Sequence, residues 1–148
     1  MNIAVCDDQA EELETVTELL LQSQAQRRFP LHFRTFRSAA QLLDAARRER
    51  FTLYLLDVMM PGMDGMAAAR ELRSFDEAAA LVFLTSSPGF AYESYGVKAM
   101  EYLLKPVRAQ TLHPILDQLW QREQRPQDSL TLKTGGTLIR IPFSQLAF

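Results

Sequence analysis

Cysteine is all but absent from this chain. Cys6 is the only one, which excludes an intramolecular disulfide and a thiolate cluster for zinc. Lysine is nearly as scarce: thirteen of the sixteen basic residues are arginine, leaving Lys98, Lys105 and Lys133. A function that needs a lysine must therefore use one of three. The formal charge of -2 provides no positive excess and excludes nucleic-acid binding by charge alone. No apolar run is long enough to span a bilayer, and the N-terminus lacks the basic and then hydrophobic layout of a signal peptide, so a cytoplasmic location is expected. With 47% hydrophobic residues among 148, the chain can build one domain with a real core and perhaps a short appendage.

The densest signal is Leu53 to Gly65, LYLLDVMMPGMDG. An apolar run stops at a single carboxylate, Asp57, and turns through Pro61 and Gly62, which suits a strand buried on both faces better than a surface helix. Asp57 would sit at that strand's C-terminal end, where open α/β sheets place their ligands. Taken alone, Asp57 could equally cap a strand and open a turn.

The rest of the chain alternates strands and helices. Residues 2 to 6 form a short apolar strand that ends in two adjacent acids, Asp7 and Asp8, with Cys6 as core filler. Gln9 to about Arg28 has helical periodicity, with Glu11, Glu12 and Glu14 early and Arg27 and Arg28 late, the order that complements the helix dipole. Leu31 to Phe36 alternates apolar and polar residues, as an edge strand with one wet face would, and places His32 on the solvated side. Ser38 opens a second helix through a capping box with Gln41, its inner face being Ala39, Leu42, Leu43 and Ala46. Asp64 is the N-cap of a third helix to about Ser74. Leu81 to Leu84 is a fourth strand running into Thr85, Ser86 and Ser87. A short fourth helix from about Phe90 to Tyr95 is closed by Gly96. Met100 to Leu104 is a fifth strand ending at Lys105 and Pro106. The fifth helix carries Leu112, Ile115, Leu116, Leu119 and Trp120 as its core stripe, and Pro114 within it should cost a backbone hydrogen bond.

Five strands alternating with five helices predict a doubly wound parallel sheet. After Arg122 the text becomes polar (124–129, a linker), and residues 130–148 then read as a β-hairpin around Gly135 and Gly136. A lone hairpin is marginal, so this tail looks like the opening of a second, incomplete β domain. The domain division expected is 1–123, 124–129 and 130–148.

Asp7 with Asp8, Asp57, Thr85 and Lys105 all fall at the C-terminal ends of strands, which share one edge in a parallel sheet. Three neighbouring carboxylates call for a hard divalent cation, and Mg2+ suits a site that supplies few protein oxygens. A carboxylate kept ionised there can act as a nucleophile toward phosphorus, with Lys105 and Thr85 placed to neutralise and hold the phosphoryl oxygens.

With CDD at 6–8, LLDVMMPGMDG at 55–65, FLTS at 83–86 and YLLKP at 102–106, the chain resembles a two-component response regulator over about residues 1–123. The resemblance implies a flavodoxin-like five-stranded sheet of order 2-1-3-4-5 with five helices, in which Asp57 accepts phosphate from a sensor histidine kinase. It implies Mg2+ held by Asp8, Asp57 and the Met59 carbonyl, with Asp7 acting through a water. It further implies phosphate contacts from Lys105 and Thr85, a cis peptide before Pro106, a Thr85/Tyr102 switch, and a homodimer through the face of the fourth helix, fifth strand and fifth helix. AYESYGVKAMEYLLKPV at 91–107 and the tail look like the LytTR class of transcription regulators, whose DNA contacts would come from the domain missing here. Gln9, where many receivers carry a third acid, and Pro114 depart from the pattern.

Two other functions stay open at this point. One is a free-standing receiver that acts on a protein partner. The other is a phosphohydrolase, which would commonly carry a second acid two residues after its nucleophile, where this chain has Met59. Beyond its own phosphorylation and dephosphorylation no enzymatic activity is expected.

Overall fold

A computed structural model describes residues 1–27, 29–86 and 96–124, together with 133–134 and 137–138. It divides into two compact units, Met1–Pro114 and Ile115–Phe148.

In the first unit the strands are β1 (Asn2–Cys6), β2 (His32–Phe36), β3 (Leu53–Asp57), β4 (Ala80–Thr85) and β5 (Glu101–Leu104). All pairings are parallel and the order is β2-β1-β3-β4-β5. The helices among the described residues are α1 (Ala10–Arg27), α2 (Ala39–Ala46), α3 (Gly65–Phe75) and α4 (Ala109–Gln124), four in number. The helix expected at 90–95 lies outside the described residues. The unit boundary falls within α4, directly after Pro114.

Position in the sheet follows composition. All five residues of β3 are buried, as a central strand requires, whereas His32, Arg34 and Thr35 of edge strand β2 are exposed. Side chains alternate faces along a strand. Ala4, Cys6, Tyr54, Leu56, Leu81 and Phe83 accordingly share one core cluster with Leu42, Leu43, Met66 and Leu72 from α2 and α3. Ile3, Val5, Leu53, Leu55, Val82 and Leu84, of opposite parity, are buried as well. On α1, Leu13, Val16 and Leu20 form the buried stripe, and His113 Nε2 lies 3.0 Å from the Leu19 carbonyl in the middle of that helix.

Local signals set the helix starts. Asp64 accepts from the Ala67 N–H at 2.8 Å and Ser38 from the Gln41 N–H at 3.2 Å. The reciprocal arm of the Ser38 box lands one residue early, with Gln41 Oε1 accepting from the Arg37 N–H at 3.4 Å. On α2 the fourth fully buried position is Ala45, and Ala46 is half-buried against the core. In α4, Leu112, Ile115, Leu116 and Leu119 are buried and Trp120 is half-buried.

In the second unit, Lys133–Thr134 and Thr137–Leu138 form a short antiparallel pair. Gln124, the first residue of the expected linker, still belongs to α4; the remainder of that linker and most of 130–148 lie outside the described residues.

Candidate functional site

The topology delivers the C-terminal ends of β1, β3, β4 and β5 to one edge. Cys6 pairs in register with Leu56, so the next residues, Asp7 and Asp57, lie side by side. Leu104 pairs with Thr85, and the Lys105 N–H extends the ladder to the Thr85 carbonyl at 2.8 Å.

Asp7, Asp8 and Asp57 form one group, each offering an oxygen within 4.8 Å of the others. Asp7 and Asp57 are buried and Asp8 is half-buried. Lys105 Nζ lies 2.8 Å from Asp7 Oδ2 and 3.2 Å from Asp57 Oδ1. The Gln9 N–H donates to Asp7 Oδ1 at 3.0 Å. The Lys105–Pro106 peptide is cis.

Among the three carboxylates one ammonium is shared, between Asp7 and Asp57, and the imbalance is visible in Asp57. Burial, and then the Asp7 charge, push its pKa up to about 6 from 3.8, against the opposing pull of Lys105 and of the Met59 N–H. The shift corresponds to about 3 kcal/mol of cost for the ionised form. Burying one Leu contributes about 2 kcal/mol, and β3 holds three, Leu53, Leu55 and Leu56, at 0% exposure. The strand can therefore carry the strain of its own terminal acid. For Lys105, burial disfavours the ammonium, but the Asp7 hydrogen bond and the Asp57 charge outweigh it and its pKa is raised.

An all-oxygen donor set of three acids with surplus negative charge fits a hard divalent ion. Each of the three carboxylates has an oxygen within 4.8 Å of the others, close enough for one ion to be shared among them. Asp7, Asp8 and Asp57 would hold it.

A cleft of about 300 Å³ opens over Asp57, lined by Gln9, Glu12, Met59, Ser86, Lys105 and Pro106. Thr85 is 1% exposed at the end of β4 and Tyr102 is half-buried in β5, in register with Phe83 and against the α2/α3-side core. Neither lines the cleft. The Met59 side chain is 60% exposed.

Four contributors were not legible in the sequence. Glu12 reads there only as a dipole-complementing acid. Arg37 donates through Nε and Nη2 to the Asp8 carbonyl at 3.2 and 3.0 Å. A Cβ on Gly65 would overlap the Asp57 carbonyl oxygen and lie 2.9 Å from its carbon, and the Gly65 N–H donates to the Val58 carbonyl at 2.9 Å. Arg73 ties the α3–β4 turn to the chain before β5 through the carbonyls of Ala79 and Val97, at 2.7 and 2.8 Å. Only the spacing of Glu12, three residues beyond Gln9 on the same helical face, could have signalled its place.

The response regulator receiver domain family matches residues 3–117. The positive alginate biosynthesis regulatory protein of Pseudomonas aeruginosa is 32% identical over 112 residues, spanning 76% of this chain and 44% of that protein. The transcriptional regulatory protein YpdB of Escherichia coli strain K12 is 24% identical over 127 residues, spanning 77% and 52%. The chain thus spans about half the length of these relatives. Among solved structures, the response regulatory domain of mrkE from Klebsiella pneumoniae superposes with a TM-score of 0.74 at 20% identity, covering 84% of this chain and 100% of that one. TrrA from Thermotoga maritima, solved in complex with Mg2+ and BeF, has a TM-score of 0.70 at 24% identity, covering 80% and 97%. These likenesses establish the shared fold. The chain belongs to the response regulator receiver domain family, and Asp7, Asp8 and Asp57 make up its acidic pocket.

Proposed function

We propose that this chain is the phosphorylation switch of a two-component transcription regulator, with Asp57 taking a phosphoryl group from the phosphohistidine of a sensor kinase. One observation carries the reading: Asp57 ends a buried central strand beside Asp7 and Asp8, under a cleft whose only lysine bridges Asp7 and Asp57.

The residues divide the work by chemistry. Asp8 and Asp57, with the Met59 carbonyl and with Asp7 through a water, would hold Mg2+, which would supply charge neutralisation for the transferring oxygens. Asp57 provides the attacking oxygen; the P–N bond of the phosphohistidine breaks, the imidazole leaves with the electron pair, and Asp57 becomes an acyl phosphate. Lys105 gives up its contact with Asp57 to pair with the phosphoryl group, and the Thr85 hydroxyl donates to another of its oxygens. Displacement of Thr85 makes room for Tyr102 to turn inward. Moving such a two-state element from mostly off to mostly on needs about 5.5 kcal/mol of differential interaction, within reach of several charge-assisted bonds to a new dianion.

The output is dimerisation through the segment expected as a fourth helix (90–95), β5 and α4, in a chain organised as a receiver (1–123), a linker (124–129, whose first residue ends α4) and the expected first strands of a LytTR-type DNA-binding domain (130–148). The likeness to a positive alginate biosynthesis regulatory protein and to a transcriptional regulatory protein, both about twice the matched length, supports a transcriptional output.

The experiment is intact-mass measurement after incubation with Mg2+ and a small phosphodonor. Wild type should gain one phosphate and Asp57→Asn none; equal labelling of the variant would remove Asp57 from the reading. Sedimentation with and without beryllofluoride tests dimerisation, which an unchanged mass would contradict.

A further inference from the structure

Among the described residues that line the cleft, Glu12 is the one acid that the assigned chemistry leaves unused. It lies in the first turn of α1 and is half-buried. Its wall is shared with Gln9, Asp57, Met59, Ser86, Lys105 and Pro106. Among the described residues no cation pairs with its carboxylate, and the cleft's lysine is already engaged by Asp7 and Asp57. Its neighbour Glu11 carries the same charge on the same turn, yet is exposed and faces a different groove, lined by Leu13, Leu21 and Phe33. A charge fixed in a cleft with protein walls is screened less than one on open surface. A phosphodonor that enters this cleft to reach Asp57 brings its negative oxygens into a space that the Glu12 carboxylate also lines.

We propose that Glu12 is a specificity residue that filters phosphodonors by charge, disfavouring free dianionic donors at the Asp57 cleft. This rests on the reading of Asp57 as the phosphoryl acceptor. The penalty grows with the donor's net negative charge. A phosphohistidine presented by a protein escapes part of it, because the surrounding surface can offer Glu12 a cation or an N–H. The filter keeps the switch answerable to its kinase by slowing the entry of small anionic phosphate compounds.

Two donors separate this from general effects. Acetyl phosphate enters as a dianion; Asp57 attacks its phosphorus, the P–O bond breaks and acetate leaves with the electron pair. Phosphoramidate is protonated on nitrogen and enters as a monoanion; the P–N bond breaks and ammonia leaves. Intact-mass time courses on the full chain at saturating Mg2+ would compare wild type with Glu12→Gln, Glu12→Asp, Glu11→Gln and Asp57→Asn. In low salt, Glu12→Gln should phosphorylate about three- to fivefold faster with acetyl phosphate and about twofold or less faster with phosphoramidate. Near 1 M salt, where the screening length falls to about 3 Å, the gain should collapse. Glu12→Asp should keep the wild-type donor ratio and Glu11→Gln should not change it. An unchanged or slower Glu12→Gln, an equal gain with both donors, or the same gain in Glu11→Gln would overturn the charge filter. Labelling of Asp57→Asn as fast as wild type would instead defeat the acceptor assignment.

Discussion

The Lys105 ammonium lies 2.8 Å from Asp7 Oδ2, joining residues 98 positions apart. The Asp7 side chain is 1% exposed and that of Lys105 12%, so this pair is not weakened by solvent as a surface bridge would be. The same ammonium also serves Asp57 at 3.2 Å. One cation between two buried acids leaves negative charge over, and the predictions concern how the fold tolerates it.

The first prediction is a pH dependence. The folded-state pKa of Asp57, about 6, lies above its ordinary 3.8, so the folded chain binds this proton more tightly than the unfolded chain does. The resulting stabilisation is fully present below about pH 4 and is lost as pH rises through about 6. In metal-free buffer at pH 7.5, Asp57→Asn should be more stable than wild type by on the order of 2 kcal/mol, and the difference should vanish toward pH 4. Saturating Mg2+ should raise the wild-type melting temperature more than that of the variant. Calorimetric scans at several pH values, with EDTA or Mg2+, test both; a variant no more stable at pH 7.5 would contradict the strain at Asp57.

Removing the cation should have the opposite effect. Lys105→Ala strands Asp7 and Asp57 against each other and should cost about 2–4 kcal/mol at pH 7.5 without metal. Part of this should return at pH 5.5, where Asp57 can take a proton. Urea midpoints at the two pH values report the loss, and carboxyl-carbon NMR should place the Asp57 titration above that of wild type.

Gly65 is required by contact rather than by backbone angle. A methyl group there would meet the Asp57 carbonyl and sit 3.0 Å from the Val58 Cα, both backbone atoms that cannot swing away. Gly65→Ala should destabilise the fold by about 2–3 kcal/mol and disturb Asp57. Gly96→Ala, with no described residue within 4 Å of the added carbon, should stay within about 0.5 kcal/mol of wild type. Chemical denaturation of the two variants makes the comparison.

Arg73 is expected to matter through geometry as much as charge. Its guanidinium reaches the Asp76, Glu77 and Ala79 carbonyls through Nη1, Val97 through Nε and Lys98 through Nη2. Arg73→Leu should cost about 2–4 kcal/mol, and Arg73→Lys should restore less than half, because an ammonium lacks the planar fork that spans two segments. Amide exchange at residues 97–100 should speed up in both variants; unchanged exchange there would show that the bridge does not hold this segment.

The parts legible in the sequence are those that repeat locally or follow from topology. Leu53 to Asp57 announced a buried central strand by composition, and β2 an edge strand by its alternation. Ser38 and Asp64 marked helix starts because a cap reads only three residues ahead. The gathering of Asp7, Asp8, Asp57 and Lys105 was also accessible, since right-handed crossovers send the ends of parallel strands to one edge.

Other features depended on the path of the folded chain. Glu12 could be recognised as an acid early in a helix, but only the packing of α1 over the β1 edge put it in the Asp57 cleft. Arg37 beside the Asp8 carbonyl, Arg73 between two turns and Gly65 against the Asp57 backbone are contacts whose partners carry no periodic mark. The sequence by itself determined the order of strands and helices and the set of acids at the strand ends, because periodicity and capping act over a few residues. Only the tertiary structure decided how Lys105 is shared between Asp7 and Asp57, and hence how far Asp57 is held from its ordinary ionisation, because both depend on burial and on distances between residues far apart in the chain.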